Sequence, residues 1–404
     1  MGTVTTPEPP LLVDCEDVAW FRDQPEGARG AAAALGRRIG LGERRTAELV
    51  LAVAELAGNV TKHAVDGSLL LRVLRNEAVA GVEVVAVDGG PGMADVRAAL
   101  RDGMSTAGTL GIGLGAVQRL ADTFDIHSQA GVGSVQLARF WPHPRPRSVS
   151  GEPAVGGITR PIGGEQVCGD AWSARTDTGH APQPQDATPA APGAAGPARP
   201  DWSALTGIRP RADRPHADPR RASALGRSVP VRAALAGPGE GVLVMSCDGL
   251  GHGPMASLAA RAAVQAFRAG GARTPEQAME QIHRALRGTR GAAVAVARLE
   301  PGGRLLFCGI GNITAALVTT TTRATLLSHP GIVGHQMHQL RTYEHRLPDH
   351  GVLVMHSDGL SERWTAADLA GLLHHPPALI AAGLLRHAGT RRDDASAVVA
   401  KAPR

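Results

Sequence analysis

The sequence predicts an α+β protein of two domains in series, separated by a short proline-rich linker at 142–157. The chain has 404 residues, which is enough for two or three domains at roughly 100–200 residues each. Hydrophobic residues make up 43% of the chain, so each domain can build a core. Strand-like and helix-like segments alternate on both sides of the linker, which favours a layered architecture.

The first predicted domain covers 11–141. A proline-free segment with helical periodicity predicts a helix over 44–63, and a second helix over 113–121 follows a run of glycines. Branched and apolar segments predict four strands, over 69–74, 82–87, 124–127 and 134–140.

The second predicted domain covers 158–404. Its apolar segments predict strands over 242–247, 292–298, 305–310, 314–318, 352–356 and 397–400. Helices are predicted over 254–269, 275–286 and 366–373. A segment rich in Pro, Ala, Gly and Arg interrupts this domain at about 177–230. Because that composition cannot sustain a core, we expect a long flexible insertion there.

Composition argues against several classes of protein. The four cysteines form no CxxC pair, which disfavours a zinc ribbon or a disulfide scaffold and suits a reducing cytoplasm. No apolar run approaches about 20 residues, and the N-terminus lacks the features of a signal peptide, so we expect a cytoplasmic protein without a membrane span. The net charge is +5, but aromatic residues make up only 3%, so we expect no nucleic-acid partner.

The helix predicted over 44–63 has a polar face. At about 100° per residue, Glu55, Asn59 and Lys62 fall within about 60° of one another, and the apolar positions lie on another side. The apolar positions can pack on a sheet while the polar ones face a cleft. This face alone is equally consistent with a solvated surface.

Two glycine-rich stretches follow this helix. The strand over 82–87 leads into Asp88-Gly89-Gly90-Pro91-Gly92, where the carboxylate can accept a hydrogen bond from an exocyclic amine. The glycines there let the backbone approach a ring closely. Residues 108–115 then bring glycines to the start of a helix, where free N–H groups can bind phosphate oxygens.

These elements, in this order, resemble the nucleotide-binding boxes of the GHKL ATPase superfamily and, within it, the anti-sigma-factor serine kinases of the RsbT/RsbW type. The matching stretches are ELAGNVTKHA, VDGGPGM and GTLGIGLGAVQRLAD. The resemblance implies an α/β sandwich that binds ATP and Mg²⁺. By this resemblance, Asn59 holds Mg²⁺, Glu55 orients or deprotonates the acceptor hydroxyl, and Asp88 binds the adenine amine. The other implied nucleotide-binding residues are Lys62, Gly90, Gly92, Gly111, Gly113 and Gly115.

Four aspartate-bearing motifs mark the second domain: CGDAW, DGLGHG, SDGL and DDAS. Asp248 and Asp358 each follow a strand-like run, VLVMSC and VLVMHS. A carboxylate at the tip of a buried strand is poorly solvated, and several together repel one another unless a cation lies between them. Mg²⁺ and Mn²⁺ suit such an all-oxygen site. A single Asp-Gly pair would indicate only a turn.

This second motif set resembles the SpoIIE/RsbX-type branch of the metal-dependent serine/threonine protein phosphatases. The resemblance implies an α-β-β-α sandwich in which Asp248 and the Gly249 carbonyl bind two metal ions. The other implied metal ligands are Asp170, Asp358, Asp393 and Asp394. His252 is expected to assist proton transfer, with stabilisation of its loop as the alternative.

Together the two resemblances imply a bifunctional regulator in the partner-switching control of bacterial sigma factors. Its target would be a small STAS-domain antagonist, phosphorylated by one half and dephosphorylated by the other. Two alternatives stay open: a phosphatase with a regulatory ATP-binding domain, and a non-enzymatic module that binds a sigma factor or a STAS protein. The sequence does not decide whether the chain forms a homodimer.

Overall fold

The computed structural model describes residues 11–22, 24–76, 79–101, 113–163, 165–177, 241–337 and 340–402. The insertion expected at about 177–230 lies outside these ranges, apart from Asp177. That residue is buried, and its carboxylate accepts a hydrogen bond from the Gly241 amide at 2.9 Å and pairs with Arg298. The described residues on the two sides of the insertion, Asp177 and Gly241, are therefore in direct contact.

The N-terminal part contains one antiparallel sheet, the first sheet. Its strands are β1 (Asp14–Phe21), β2 (Ser68–Arg75), β3 (Ala80–Asp88), β4 (Thr123–Gln129) and β5 (Gly133–Phe140). Its helices are α1 (Ala28–Arg38), α2 (Glu43–His63), α3 (Val96–Ala99) and α4 (Gly113–Leu120). The strand order is β1-β2-β3-β5-β4.

The C-terminal part contains a middle sheet and an outer sheet. The middle sheet comprises β6 (Val155–Arg160), β11 (Thr314–Val318), β12 (Arg323–Leu326), β14 (Val352–His356) and β15 (Ala395–Ala400). The outer sheet comprises β7 (Asp170–Thr176), β8 (Val242–Gly249), β9 (Ala292–Leu299), β10 (Arg304–Ile310) and β13 (Tyr343–Arg346). The strand orders are β12-β11-β14-β15-β6 and β13-β10-β9-β8-β7.

Among the described residues, four helices accompany these two sheets: α5 (Gly253–Ala269), α6 (Pro275–Ala285), α7 (Ala366–Leu369) and α8 (Pro377–Ala388). The two sheets pack face to face, and α5 and α6 cover the outer one. Helices α1, α2 and α4 pack on one face of the first sheet. The predicted fold class, an α/β sandwich followed by an α-β-β-α sandwich, is confirmed.

Helix α8 lies between the first sheet and the middle sheet and contributes to one hydrophobic cluster with both. Ten of its twelve residues are buried, and only Arg386 and His387 are not. A helix that is apolar on all sides belongs in an interior, because neither side can face water. The two parts of the chain therefore share a core.

Strand β3 shows why the first sheet accepts this second layer. Val82 and Val84 pack toward the helices of the N-terminal part, whereas Val85 and Val87 pack in the cluster that contains α8. Successive side chains of a strand point to opposite faces, so a continuous apolar run is what a strand buried on both faces needs.

Polar contacts join the edge of the first sheet to β6. Trp20 Nε1 donates to the Thr159 carbonyl at 2.8 Å, and Arg72 Nη1 donates to the Gly157 carbonyl at 2.5 Å. Arg72 is fully buried and also pairs with Glu83, whose other carboxylate oxygen accepts from Arg139. These contacts fix β6 against the N-terminal sheet.

The predicted strands and helices are found with small shifts at their ends, with one larger difference. The helix predicted over 366–373 ends at Leu369, because Gly371 two residues later disfavours its continuation. The sequence analysis did not predict β1, β6, β7, β12, β13, α1, α3 or α8. Within the described ranges, none of the helices combines the length and apolar character that crossing a bilayer requires.

Candidate active sites

Helix α2 positions the first group of predicted site residues. Leu49, Val53 and Leu56 are fully buried in the core with the first sheet. Glu55 and Asn59 are half-buried on another side of the helix, and Lys62 and His63 are exposed in its last turn. The predicted separation of polar and apolar faces is therefore present.

The end of α2 is connected to the end of β3. The Gly89 amide donates to the Val65 carbonyl at 2.9 Å, and the Asp88 carboxylate accepts from the Gly90 amide at 2.9 Å. Burial raises the pKa of Asp88. This carboxylate thus lies partly desolvated beside α2, in the environment that a base-binding acceptor needs.

Two glycines of this loop have no room for a side chain. A Cβ atom at Gly90 would lie 2.7 Å from the His63 carbonyl oxygen. At Gly92 it would lie 2.1 Å from the Gln129 carbonyl oxygen, and φ there is +65°. Glycine is needed here because the loop packs against the end of α2 and against the β4–β5 turn.

The predicted phosphate loop is only partly within the described residues. Gly111 and the rest of 102–112 lie outside them, whereas Gly113 and Gly115 are in the first turn of α4. Gly113 has φ +74°, which a residue with a side chain rarely adopts. The described half of this site is thus the side expected to hold adenine.

The second site lies where β7 and β8 meet. Asp170 and Asp248 are directly opposite each other in this antiparallel pair. Burial, followed by repulsion from neighbouring carboxylates, raises the pKa of Asp248 far above its usual range. Burial also raises the pKa of Asp170, while the Ser357 and Ser396 hydroxyls partly oppose this shift. The charges of Asp394 and Asp358 raise the pKa further.

The middle sheet brings two further carboxylates to the same edge. Asp358 follows β14 and accepts a hydrogen bond from Asn312 Nδ2 at 2.6 Å, while burial and Asp393 raise its pKa. Asp394 precedes β15 and is 3% exposed. Its two carboxylate oxygens each accept a backbone amide at 2.7 Å, from Ile162 and from Gly169.

Asp394 therefore anchors the loop that leads into Asp170. Its neighbour Asp393 accepts the Asp394 amide at 2.8 Å, so the two adjacent carboxylates have different surroundings. The sequence analysis gave both the same role. Asn312 ends the sequence GIGN at 309–312, and no role was predicted for it.

The donor chemistry fits hard divalent ions. Neither carboxylate oxygen of Asp170 has a hydrogen-bond partner of good geometry among the described residues. A buried anion without partners calls for a cation, and oxygen-only ligands suit Mg²⁺ and Mn²⁺. In the described chain, no three His, Cys, Asp or Glu side chains are already positioned as a ligand set. The carboxylates are therefore near one another, but as placed they do not surround a common point.

The backbone beside Asp248 is equally constrained. A Cβ atom at Gly249 would lie 2.4 Å from the Ala256 carbonyl oxygen, so only glycine fits between β8 and α5. His252 is the N-cap residue of α5, with Nδ1 3.9 Å from Glu165 Oε1 and a side chain 54% exposed. Burial raises the pKa of Asp394, and the nearby His252 side chain partly opposes this shift.

Comparison with known proteins gives two family matches. The histidine kinase-like ATPase domain matches residues 22–139, and stage II sporulation protein E (SpoIIE) matches residues 238–403. The serine/threonine-protein kinase RsbT of Bacillus subtilis (strain 168) is 37% identical over 115 residues, which are 28% of this chain and 86% of RsbT.

Two solved structures are similar to this chain at low identity. One is the PP2C phosphatase domain of SpoIIE from Bacillus subtilis with a fragment of its regulatory domain, at 12% identity and a TM-score of 0.39. That match covers 93% of this chain and 94% of the other. The other is RsbX in complex with magnesium, at 14% identity and a TM-score of 0.40, covering 60% and 92%.

Proposed function

Because the chain belongs to the family of the kinase RsbT in its first part and has a SpoIIE domain in its second, we propose that it is a bifunctional partner-switching regulator. Its SpoIIE half hydrolyses phosphoserine or phosphothreonine on a partner protein. Its ATP-binding half phosphorylates a target of the same class. The target we propose is a STAS-domain anti-sigma antagonist.

The observation that carries this proposal is the meeting of Asp170, at the start of β7, and Asp248, near the end of β8. We propose that these two residues, the Gly249 carbonyl, Asp358 and Asp393 hold Mg²⁺ or Mn²⁺. Such a metal pair supplies an activated water and stabilises charge on the phosphoryl group.

The chain's own residues orient that site. Asn312 holds the Asp358 carboxylate through its 2.6 Å hydrogen bond. Asp394, with both oxygens on backbone amides, fixes the approach of the 162–169 loop and so positions Asp170. His252, exposed at the start of α5, can move a proton to the leaving hydroxyl.

In the ATP-binding half, we propose that Asp88 accepts the adenine amine and that Asn59 and Lys62 face the phosphates. Glu55, half-buried one turn before Asn59, orients the acceptor hydroxyl. Phosphoryl transfer depends on such positioning and on electrostatic stabilisation more than on covalent chemistry by the protein.

One observation favours a second candidate, in which nucleotide regulates the phosphatase. The Arg386 guanidinium on α8 is close enough to Asp88 to lower the pKa of that carboxyl against the effect of burial. Four residues later, the Thr390 amide donates to the Gly359 carbonyl at 2.9 Å, next to Asp358. The end of α8 thus connects the two candidate sites.

The first experiment measures hydrolysis of p-nitrophenyl phosphate by the full chain with Mn²⁺ and with chelator. Activity that needs Mn²⁺ and is lost in Asp248→Ala, but kept in the exposed control Asp349→Ala, supports the phosphatase. If Asp248→Ala retains the wild-type rate, the proposed site is wrong.

The second experiment separates kinase from regulator. Asp248→Ala protein, which cannot remove phosphate, is incubated with labelled ATP and a STAS domain, with and without Glu55→Gln. Transfer that depends on Glu55 supports the kinase. In protein with Asp248 intact, a change in phosphatase rate on adding ATP that Asn59→Asp abolishes supports the regulatory candidate instead.

A further inference from the structure

A cavity of about 330 Å³ lies between the two parts of the chain, and none of the carboxylates proposed to hold metal lines it. The N-terminal part lines it with Arg22, the segment before α1 and the end of α2, and the C-terminal part lines it with Arg160 and Arg391. Three guanidinium groups from distant points of the sequence therefore face one space. That volume is at the small end of the range for sites that bind small molecules.

Arg160 is one of the residues that line this cavity. It is the last residue of β6 and is half-buried. Its Nη2 atom is shielded from solvent and has no hydrogen-bond partner among the described residues. Burial, together with the charges of Arg22 and Arg391, lowers the pKa of Arg160 to about 10. A buried donor without an acceptor is costly. This atom would meet an anion in the cavity once the side chain turns toward it.

The other charged groups of the cavity are already engaged. Arg22 donates to the Pro161 carbonyl at 2.9 Å, and Glu26 accepts from the Thr61 hydroxyl at 2.5 Å. Arg391 pairs with Asp66 at 3.3 Å, with both side chains mostly exposed. An exposed pair of this kind exchanges readily with a competing anion.

The backbone at that ion pair is also unusual. Asp66 has φ +53° and Arg391 has φ +58°, and these are two of only three residues other than glycine with positive φ in the described chain. One comes from each part of the protein, and both line the same cavity. Residues held in the left-handed region cluster at ligand sites, because the surrounding structure must hold them there.

We propose that this cavity is a binding site for a phosphate dianion or a phosphate monoester, with Arg160 as its main donor and Arg22 and Arg391 beside it. The planar guanidinium fork matches the oxygens of a phosphoryl group. The site uses none of the residues assigned to catalysis, so it goes beyond the proposed function. Because its donors come from both parts, the ligand would bridge them.

The test titrates inorganic phosphate and, separately, O-phosphoserine into the full chain by isothermal calorimetry, in chelator and without nucleotide. Arg160→Met and Arg22→Met remove donors from each side of the cavity. Arg392→Met is the matched control, because Arg392 is an exposed neighbour of Arg391 that does not line the cavity.

We expect binding that weakens at least tenfold in both cavity variants and is unchanged in Arg392→Met. Unaltered thermal unfolding of the ligand-free variants would separate loss of the site from loss of the fold. Tighter binding of O-phosphoserine would point to a phosphorylated side chain as the ligand, and tighter binding of phosphate to the released product. Absence of binding by wild type, or equal binding by all variants, overturns the proposal. No catalytic activity is needed, so the outcome is independent of the proposed function.

Discussion

The two candidate sites differ in how their polar groups are held. In the SpoIIE half, carboxylates from β7, β8 and the segments after β14 and before β15 converge, and each of Asp170, Asp248, Asp358 and Asp394 has a raised pKa. In the ATPase-like half, Glu55, Asn59 and Lys62 share one helix, and Asp88 follows at the end of β3. Gly90 and Gly92 beside them have no room for side chains. At the first site, neighbouring carboxylates repel one another, and a bound cation would relieve that repulsion. The shape of the second site is set mainly by its backbone.

We expect the largest effect from Asp248→Asn, which tests the repulsion between carboxylates at the first site. Losing a metal ligand should reduce phosphatase activity by about 100-fold or more. The same change should raise the thermal stability of the metal-free protein, because it removes one of the repelling buried carboxylates. Hydrolysis of p-nitrophenyl phosphate with Mn²⁺ and thermal unfolding in chelator measure the two effects.

The control is Asp349→Asn, an exposed aspartate away from the cluster, which should leave both quantities unchanged. A metal-free Asp248→Asn protein that unfolds at a lower temperature than wild type would contradict the account of the cluster as a site of repulsion.

The second prediction concerns the core that the two halves share. Leu137→Ala and Leu71→Ala each remove a fully buried side chain and should each cost about 2–5 kcal/mol of stability. Leu137 belongs to the cluster with α8, whereas Leu71 belongs to the core under α1, α2 and α4. Only Leu137→Ala should therefore reduce hydrogen-exchange protection within α8. Equal protection of α8 in both variants would show that the two cores are not separate.

The third prediction is a pH effect at the same interface. Burial, together with the charges of His375, Arg386 and His374, lowers the pKa of His127 to about 4, and only Asp125 opposes this. The unfolded chain takes up this proton near pH 6.5, so the folded state loses stability as the pH falls from 6.5 toward 4.

His127→Gln should therefore lose less thermal stability than wild type between pH 7 and pH 5. His350→Asn, at an exposed turn, is the control and should lose as much as wild type. Asp125, whose pKa is lowered by its hydrogen bond with His375, contributes its own loss only at more acidic pH. If His127→Gln protein loses as much thermal stability as wild type between pH 7 and pH 5, His127 is not the cause of that loss.

The smallest expected effect compares the two left-handed residues at the cavity. Arg391→Gly and Asp66→Gly should each stabilise the protein by about 1 kcal/mol, because glycine adopts positive φ without strain. The exposed ion pair between them contributes little in return. Chemical denaturation measures the gain, with Arg392→Gly as the control that should not be stabilised.

Much of the fold could be predicted because its segments have clear periods. The residues of α2 separate into polar and apolar faces, and β3 and β14 are continuous branched runs. Helix α8 could not be predicted in this way, because its sequence PALIAAGLLRHA is apolar on every side and has no amphipathic period. Strand β6 has two small residues in its centre, and Gly157 is needed there because the Trp172 ring lies against it.

The candidate sites were predictable where chemistry shows in single motifs. Asp248 and Asp358 end matching runs, so their convergence could be expected from the sequence. The different surroundings of Asp393 and Asp394 could not, because they depend on two backbone amides more than 220 residues earlier in the chain. The grouping of the three arginines in the cavity could not be predicted from sequence patterns either, since they meet only when both parts are folded.

The burial of α8 on both sides limits how evolution and protein engineering can reuse this chain. A recombination event that removed the N-terminal part would leave an apolar helix surface in water, and one that removed the C-terminal part would uncover Val85, Val87 and Leu137 on the first sheet. Either fragment would need a new cover for that surface to stay soluble. Separating the two halves of this chain would therefore require polar substitutions on both of the surfaces that it uncovers.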